Sequence, residues 1–398
     1  MNIAEISHNI FYVGVNDRTS SCFEGLWALP LGVSYNSYII KGSDKIALID
    51  TVHVSQSIKF INNITNIIGN ASIDYLIINH MEPDHSGSIQ IIKDRFPNIK
   101  IIGNNKTADM IKGFYGITDN VVEIKDRETI DLGAGKILDF IMTPMIHWPE
   151  TMMTYERSSA SLFSGDAFGC FGALNGGIVD DEMDIEPFIP EMYRYYSNIV
   201  AKYSNFVQKA LAKIKDIKLD YICSTHGPVW HGHLNRIMDI YDTLSKNIGE
   251  NGVVIAYGSM YGNTEEVVDV IARQLAEEGI KTIKIYNLSN GTLSHILSDI
   301  CRYKGVIVGG PTYSNGVFPP LESLLFAMQT RELKNKLFAT FGSYTWAPGI
   351  TKKIMAYTEK MSLRFLDSNI EMKQSINSDK VAEAKLFAKS FANELRLF

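Results

Sequence analysis

No two of the four cysteines, Cys22, Cys170, Cys223 and Cys301, are close enough to form a Cys-x-x-Cys pair. That argues against a zinc ribbon, a cysteine-held iron–sulfur cluster and a fused rubredoxin module. Widely scattered thiols suit a reducing cytoplasm. No apolar run is long enough to span a bilayer, and the first residues lack a basic-then-apolar signal, so neither a membrane nor export is expected. A basic stripe is missing too. With 38 Lys and Arg against 44 Asp and Glu the net charge is −6, which argues against a nucleic-acid partner. Repeats and low-complexity segments are absent. What is present is 398 residues, 45% of them apolar, enough for two globular cores.

Up to residue 248 short strands recur between turn residues: Ile10-Val13, Tyr35-Ile40, Lys45-Asp50, Asp74-Ile78, Ile99-Ile102, Leu138-Thr143, Met152-Tyr155, Ser161-Ser164 and Tyr221-Ser224. Helical patterns lie between them, from Gln56 to Ile67, Ser88 to Arg95 and, as one long tract, Ile189 to Ile214. This mixture predicts an αββα sandwich over residues 1–248. The polar, Gly-containing stretch 247–252 is the expected linker. Beyond it, residues 253–398 alternate strand and helix. Strands are predicted at Val253-Tyr257, Lys281-Tyr286, Gly305-Val308 and Leu337-Phe341, with an amphipathic helix from Asn263 to Glu278. That alternation implies a doubly wound parallel sheet.

Directly after the apolar run Tyr75-Leu76-Ile77-Ile78 comes Asn79-His80-Met81-Glu82-Pro83-Asp84-His85. Two imidazoles and two carboxylates at a strand end are hard to explain as packing, because a buried charge cluster is costly without a cation. Three more candidates each follow an apolar strand: His147 in Ile146-His147-Trp148-Pro149, Asp166 in Ser164-Gly165-Asp166, and His226 in Thr225-His226-Gly227-Pro228. Loops at one sheet edge converge although far apart in sequence. The order resembles the metallo-β-lactamase superfamily, whose hydrolytic branch carries histidine where Glu82 stands here. The set implied is His80, Glu82, Asp84, His85, His147, Asp166 and His226. Four imidazoles with three carboxylates and no thiolate favour two irons over structural zinc. His80 and Asp84 are expected on different metals, with Asp166 as the bridge. His231 and His233 are candidates for support behind the ligands, whereas His8, His53 and His295 have no ligand context.

The first loop of the second half reads Ser259-Met260-Tyr261-Gly262-Asn263-Thr264. It leaves a strand and opens a helix, where hydroxyls, backbone N–H groups and the helix N-terminus favour a phosphate. Two later strand-end loops carry Pro311, Thr312, Tyr313, Asn315 and Gly316, then Ser343, Tyr344, Trp346 and Gly349. Aromatic rings beside such loops fit a flavodoxin-like FMN site at the topological switch point.

A lactamase-like half with glutamate at the second ligand position, followed by a flavodoxin-like half, resembles the flavodiiron proteins over nearly the whole chain. The resemblance implies reduction of O₂ to water, or of NO to N₂O, at a diiron centre fed by FMN. It also implies a head-to-tail homodimer, possibly paired into tetramers, that sets one subunit's FMN beside the other's irons. Complete reduction of O₂ takes four electrons, which the irons and the flavin supply together.

Many relatives carry Phe-His-Gly before the early Thr-Tyr-Asn strand, where this chain has Phe23-Glu24-Gly25. Glu24 would alter the polarity of the iron pocket. Tyr195 or Tyr196 matches a family stretch that contributes a pocket tyrosine. Phe171-Gly172-Ala173-Leu174-Asn175-Gly176-Gly177 is similar to the methanogen branch, which oxidises a reduced deazaflavin, coenzyme F420, directly. The expected activity is therefore an oxidase for reduced F420. The alternatives are a rubredoxin-dependent NO or O₂ reductase and, from a different class, a zinc hydrolase fused to a flavodoxin.

Overall fold

The computed structural model describes residues 3–398. The chain divides into two compact units, Met1–Tyr196 with Tyr203–Asp242, and Ser197–Lys202 with Thr243–Phe398.

Beside two two-stranded sheets, Val15–Asp17 with Val33–Tyr35 and Cys22–Phe23 with Trp27–Ala28, two large sheets build the first unit. One holds seven strands in the spatial order Ala4–Ser7, Ile10–Tyr12, Tyr38–Lys41, Ile46–Ile49, Tyr75–Ile77, Lys100–Gly103 and Val121–Glu123. From Ile46–Ile49 onward its strands run parallel. Leu48, Leu76 and Ile101 in the inner strands are fully buried, as apolar runs covered on both faces should be, whereas Val122 of the edge strand is exposed. The other sheet orders Thr129–Asp131, Ile137–Met142, Met152–Glu156, Ser161–Gly165 and Tyr221–Ser224, with only its last pair parallel. Tyr38 joins the two. Its ring meets Phe163 edge-on at 5.2 Å and its hydroxyl donates to the Ser224 carbonyl at 2.7 Å. Helices Ser57–Ile68, Ile89–Arg95 and Asn105–Tyr115 follow strands of the first sheet. The sandwich expected from the sequence is the observed architecture. The strands Tyr75–Ile77, Ile137–Met142, Ser161–Gly165 and Tyr221–Ser224 all send their C-terminal ends into ligand-bearing loops.

One expected element differs. The tract 189–214 is not a single helix. Phe188–Tyr195 gives way to a wide turn at Tyr196–Val200 and a tight one at Ala201–Tyr203 before Ser204–Ile214 resumes. Hydroxyl and amide side chains take other partners across this break: Tyr196 meets Ser204 Oγ at 2.9 Å, and Asn198 donates to the Ser294 carbonyl at 3.0 Å. Tyr, Ser and Asn hold a helix poorly when such competing bonds are on offer.

The second unit is one parallel sheet ordered Ile283–Asn287, Glu250–Tyr257, Tyr303–Pro311 and Lys334–Tyr344, with Ser362–Phe365 and Ile370–Lys373 both paired to Lys334–Tyr344. Helices cover both faces. Leu293–Arg302, Pro319–Thr330 and Ile350–Thr358 pack one core, while Asn263–Glu277 and Ser378–Leu397 pack the other. This is the doubly wound sheet that the alternation predicted. The stretch 247–252 lies inside this unit, and a strand begins within it at Glu250. Its two glycines serve close packing: a Cβ at Gly249 would stand 2.9 Å from Lys304 and one at Gly252 2.6 Å from the Tyr303 ring.

Candidate metal centre and flavin cleft

His80 and Glu82 lie two residues apart with Met81 fully buried between them. Pro83 then opens the one-turn helix Pro83–Ser86, for which its fixed φ is suited. Asp84 and His85 ride on that turn, so the short cluster splits in two. His80, Glu82, His147 and Asp166 form one group of converging ligand atoms, and Asp84, His85 and His226 form a second. Asp166 faces both. Its Oδ2 lies 3.1 Å from His147 Nε2 and 3.4 Å from His80 Nε2, and its Oδ1 lies 3.1 Å from His85 Nε2. His147 Nε2 is 3.0 Å from Glu82 Oε2, and His226 Nε2 is 3.3 Å from Asp84 Oδ2. Every one of these seven residues is buried.

The electrostatics are those of imidazoles and carboxylates buried in mutual contact. Burial works against charge on His80, yet Asp166 and hydrogen bonds to Glu150 and Glu82 raise its pKa well above the ordinary value. The same contest pushes His147 up to about 9, through Asp166 and Glu82. Burial would raise Glu82 and Asp166, but the surrounding imidazoles hold both carboxyls well below the usual range. Metal binding to such a cluster would displace protons from its imidazoles. Both oxygens of Asp84, Oδ2 of Asp166 and Nδ1 of His85 are buried with no hydrogen-bond partner. Buried polar atoms are rarely left so. The donor set and its unpartnered oxygens fit a pair of hard-to-borderline metal ions such as iron.

Several supports were invisible in the sequence. Glu150 Oε1 accepts from Met81 N–H and faces His80 Nδ1, both at 2.8 Å. Thr225 Oγ1 donates to Asp166 Oδ1 at 2.6 Å, and His226 Nδ1 faces the Ser34 carbonyl at 2.7 Å. Asp50 accepts from Asn79 N–H at 2.7 Å. None of these follows a spacing rule. Only the proximity of Glu150 to His147 hinted at a role. His231 and His233 join neither group: His231 stacks on Tyr221 at 4.4 Å, and His233 pairs with Asp180 at 3.0 Å.

Tyr195 lies in the first unit's core, its ring 5.5 Å from that of His226, with a buried hydroxyl that has no hydrogen-bond partner. Burial first, then the charge of Asp166, drives its pKa well up. Glu24 stands on a tight turn at φ 49°, with the Trp27 indole donating to its carboxylate at 3.0 Å. Desolvation and the neighbouring Glu82 charge raise its pKa. Phe23, beside it, meets the His226 ring edge-on at 5.3 Å.

In the second unit a cleft of about 360 Å³ is lined by Ser259, Met260, Tyr261, Asn263, Thr264, Pro311, Thr312, Asn315, Ser343, Tyr344 and Trp346 of the expected residues. Thr345, Ala347 and Gln374 line it as well and were not foreseen. Gly262, Tyr313, Gly316 and Gly349 are not among the lining residues. Gly262 and Gly349 sit at helix starts with φ 92° and 115°, and Tyr313 and Gly316 bridge each other across their turn. The cleft opens at the C-terminal ends of Glu250–Tyr257 and Tyr303–Pro311, where the strand order switches. Helix Asn263–Glu277 points its N-terminus here with no side-chain cap. Thr312 Oγ1 is buried without a hydrogen-bond partner, and Tyr261 and Trp346 expose 89% and 85% of their surface. Free donors beside open aromatic faces fit a flavin phosphate and its ring.

Two adjoining groups of carboxylate and histidine ligands, with a flavodoxin-type cleft in a separate unit, define the class. A family model described as ODP family beta lactamase matches residues 33–227, and a flavodoxin model matches residues 255–385. Over 378 residues the chain is 34% identical to the anaerobic nitric oxide reductase flavorubredoxin of Escherichia coli, covering 94% of this chain and 77% of that protein. Rubredoxin oxygen:oxidoreductase from Desulfovibrio gigas superposes with a TM-score of 0.95 at 27% identity, over 100% of this chain and 99% of that one. A variant of the flavo di-iron protein from Thermotoga maritima gives a TM-score of 0.91 at 28% identity, over 99% and 98%. The chain belongs to the flavodiiron proteins, or A-type flavoproteins, a family of oxidoreductases, and its flavodoxin domain implies FMN.

Proposed function

We propose that this protein reduces O₂ to water, with electrons passing through FMN from reduced coenzyme F420, in the cytoplasm of an anaerobe. The observation that carries the reading is the pair of buried ligand groups sharing Asp166 through its two oxygens. His80, Glu82, His147 and Asp166 would hold one iron, and Asp84, His85, His226 and Asp166 the other. Bound there, two irons would supply electrons to O₂ or NO, and FMN would replenish them.

The remaining work falls to the chain. Thr225 holds one oxygen of Asp166 in place. The buried Tyr195 hydroxyl is free to donate to a substrate oxygen. Glu24, with its raised proton affinity, can keep a proton where Glu82 and Asp166 stay ionised. Phe23 packs edge-on against His226, Tyr195 lies tilted against the same ring, and Phe171 packs edge-on behind both, which keeps water out of that side. The hydroxyls of Ser259, Thr264 and Thr312 and the free N-terminus of Asn263–Glu277 would bind the FMN phosphate.

A small-molecule donor is supported by the 171–177 stretch. Gly172, Ala173, Asn175 and Gly177 line a cleft of about 580 Å³ in the first unit, with Phe188 and the Arg18 guanidinium also at its wall. Glycine backbone beside an aromatic ring and a cation suits a planar heterocycle with an anionic tail. A rubredoxin-dependent NO or O₂ reductase is the second reading, favoured by the names of the relatives. Exposed Leu26 and Leu31 in the first unit, and Met260, Tyr261 and Trp346 in the second, are apolar surfaces that a head-to-tail homodimer would cover.

The test is O₂ uptake by iron- and FMN-loaded protein with reduced F420 as sole donor. Rapid uptake, at the two-to-one donor ratio of four-electron reduction and without peroxide, is expected. If reduced F420 drives nothing while chemically reduced protein still consumes O₂ or NO, the donor is a rubredoxin-like protein instead.

A further inference from the structure

The imidazoles of the metal centre differ in what stands behind them. His80 turns Nε2 toward Glu82 and Asp166, and Nδ1 toward Glu150 Oε1 at 2.8 Å. Glu150 is fully buried, and its peptide carbonyl is held in turn by the Asn104 amide. Its Oε1 already accepts the Met81 N–H. An ionised carboxylate only accepts, so the proton between Oε1 and the ring belongs to His80 Nδ1, which leaves Nε2 as the nitrogen to be offered to a metal. The other carboxylate oxygen, Oε2, is buried with no hydrogen-bond partner. Across the cluster His226 Nδ1 faces only a peptide carbonyl, that of Ser34, at 2.7 Å. His85 Nδ1 is buried and faces no hydrogen-bonding atom at all.

A carboxylate behind a ligand imidazole fixes the ring, fixes the tautomer and makes the coordinating nitrogen more basic. A carbonyl fixes the ring but lends less charge, and a bare ring gains neither. We infer that Glu150 is a positioning residue that makes the His80–Glu82–His147 group the tight metal position and leaves the Asp84–His85–His226 group the weak one, so that the centre fills in order. This rests on the metal reading above. It differs from a plain packing role in one respect. A glutamine at 150 keeps an oxygen for Met81 N–H and the ring but removes the charge.

Anaerobic titration of the metal-free, FMN-containing protein with ferrous iron, followed by calorimetry and metal analysis, tests it. The wild type should bind iron in two separated steps. His147→Ala should remove the first and His226→Ala the second. Glu150→Gln should weaken the first step by about 10- to 100-fold and leave the second unchanged. The inference is overturned if the Gln variant matches the wild type, if both its steps shift together, or if the wild type fills both positions in one step. Should Glu150→Gln not fold, Glu150→Asp keeps the charge with a shorter reach. Selective weakening of its first step supports the inference, and a wild-type isotherm overturns it. A wild type that binds no iron would instead overturn the metal reading, a result distinct from a two-step isotherm that ignores residue 150.

Discussion

Gly227 shows how tightly single atoms govern the centre. It follows the ligand His226, holds φ at 78°, and a Cβ there would stand 2.2 Å from Cys170 Sγ. Gly227→Ala therefore meets a left-handed backbone and a clash at once, and should cost about 2 kcal/mol or more of stability. Denaturant melts check this. Adding Cys170→Ala removes the clash but not the backbone strain, so the double variant should recover part of the loss. Full recovery would show that the backbone conformation costs nothing.

At the scale of elements, the helix Asn263–Glu277 and its loop form one wall of the second unit's cleft. Thr264 Oγ1 and Ser343 Oγ lie 3.0 Å apart across the cleft. Thr264→Val with Ser259→Ala should weaken FMN binding by about tenfold or more, since each lost hydroxyl contact costs about 1 kcal/mol. Fluorescence titration with FMN reads the loss, and the iron content should not change. The strand Lys334–Tyr344 carries a different liability. Lys336 is 2% exposed, donates to the Cys301 carbonyl at 2.6 Å, and burial lowers its pKa to about 8. An unfolded lysine titrates at about 10.4, so between these values the unfolded chain holds a proton that the folded chain lacks. Below pH 8 both states hold it and the cost of burying the charge is paid in full. Stability should therefore rise from pH 8 toward 10.4 relative to Lys336→Met, by about 3 kcal/mol at most. A flat difference between the two proteins would mean that this amine is not desolvated.

For the whole molecule, the proposed head-to-tail dimer makes electron transfer a property of two chains. His147→Ala should lose the iron of its own position, and with it oxidase activity, but keep FMN. The Thr264→Val, Ser259→Ala variant should keep iron and lose flavin. Mixed and allowed to exchange subunits, two inactive proteins should regain about a quarter of wild-type O₂ uptake, because half the dimers are mixed and each has one competent pair of sites. No recovery, with exchange demonstrated, would place flavin and metal transfer within one chain.

The two architectures were legible from the sequence because they depend on local pattern, and the candidate ligands were named from strand-end positions together with the family resemblance. Apolar runs ending in His, Asp or Glu mark the strand ends, and regular strand–helix alternation marks the doubly wound sheet. Only the tertiary structure decided how seven scattered candidate ligands divide into two groups, and that Asp166 faces both. It also placed Glu150, Thr225 and the Ser34 carbonyl behind the ligands, and broke the 189–214 helix at Tyr196–Val200. These features arise from partners tens of residues or more away, which no period of 2 or 3.6 records. A sequence can announce which side chains are able to bind a metal, but the long-range packing of the sandwich decides which of their atoms meet and what stands behind each.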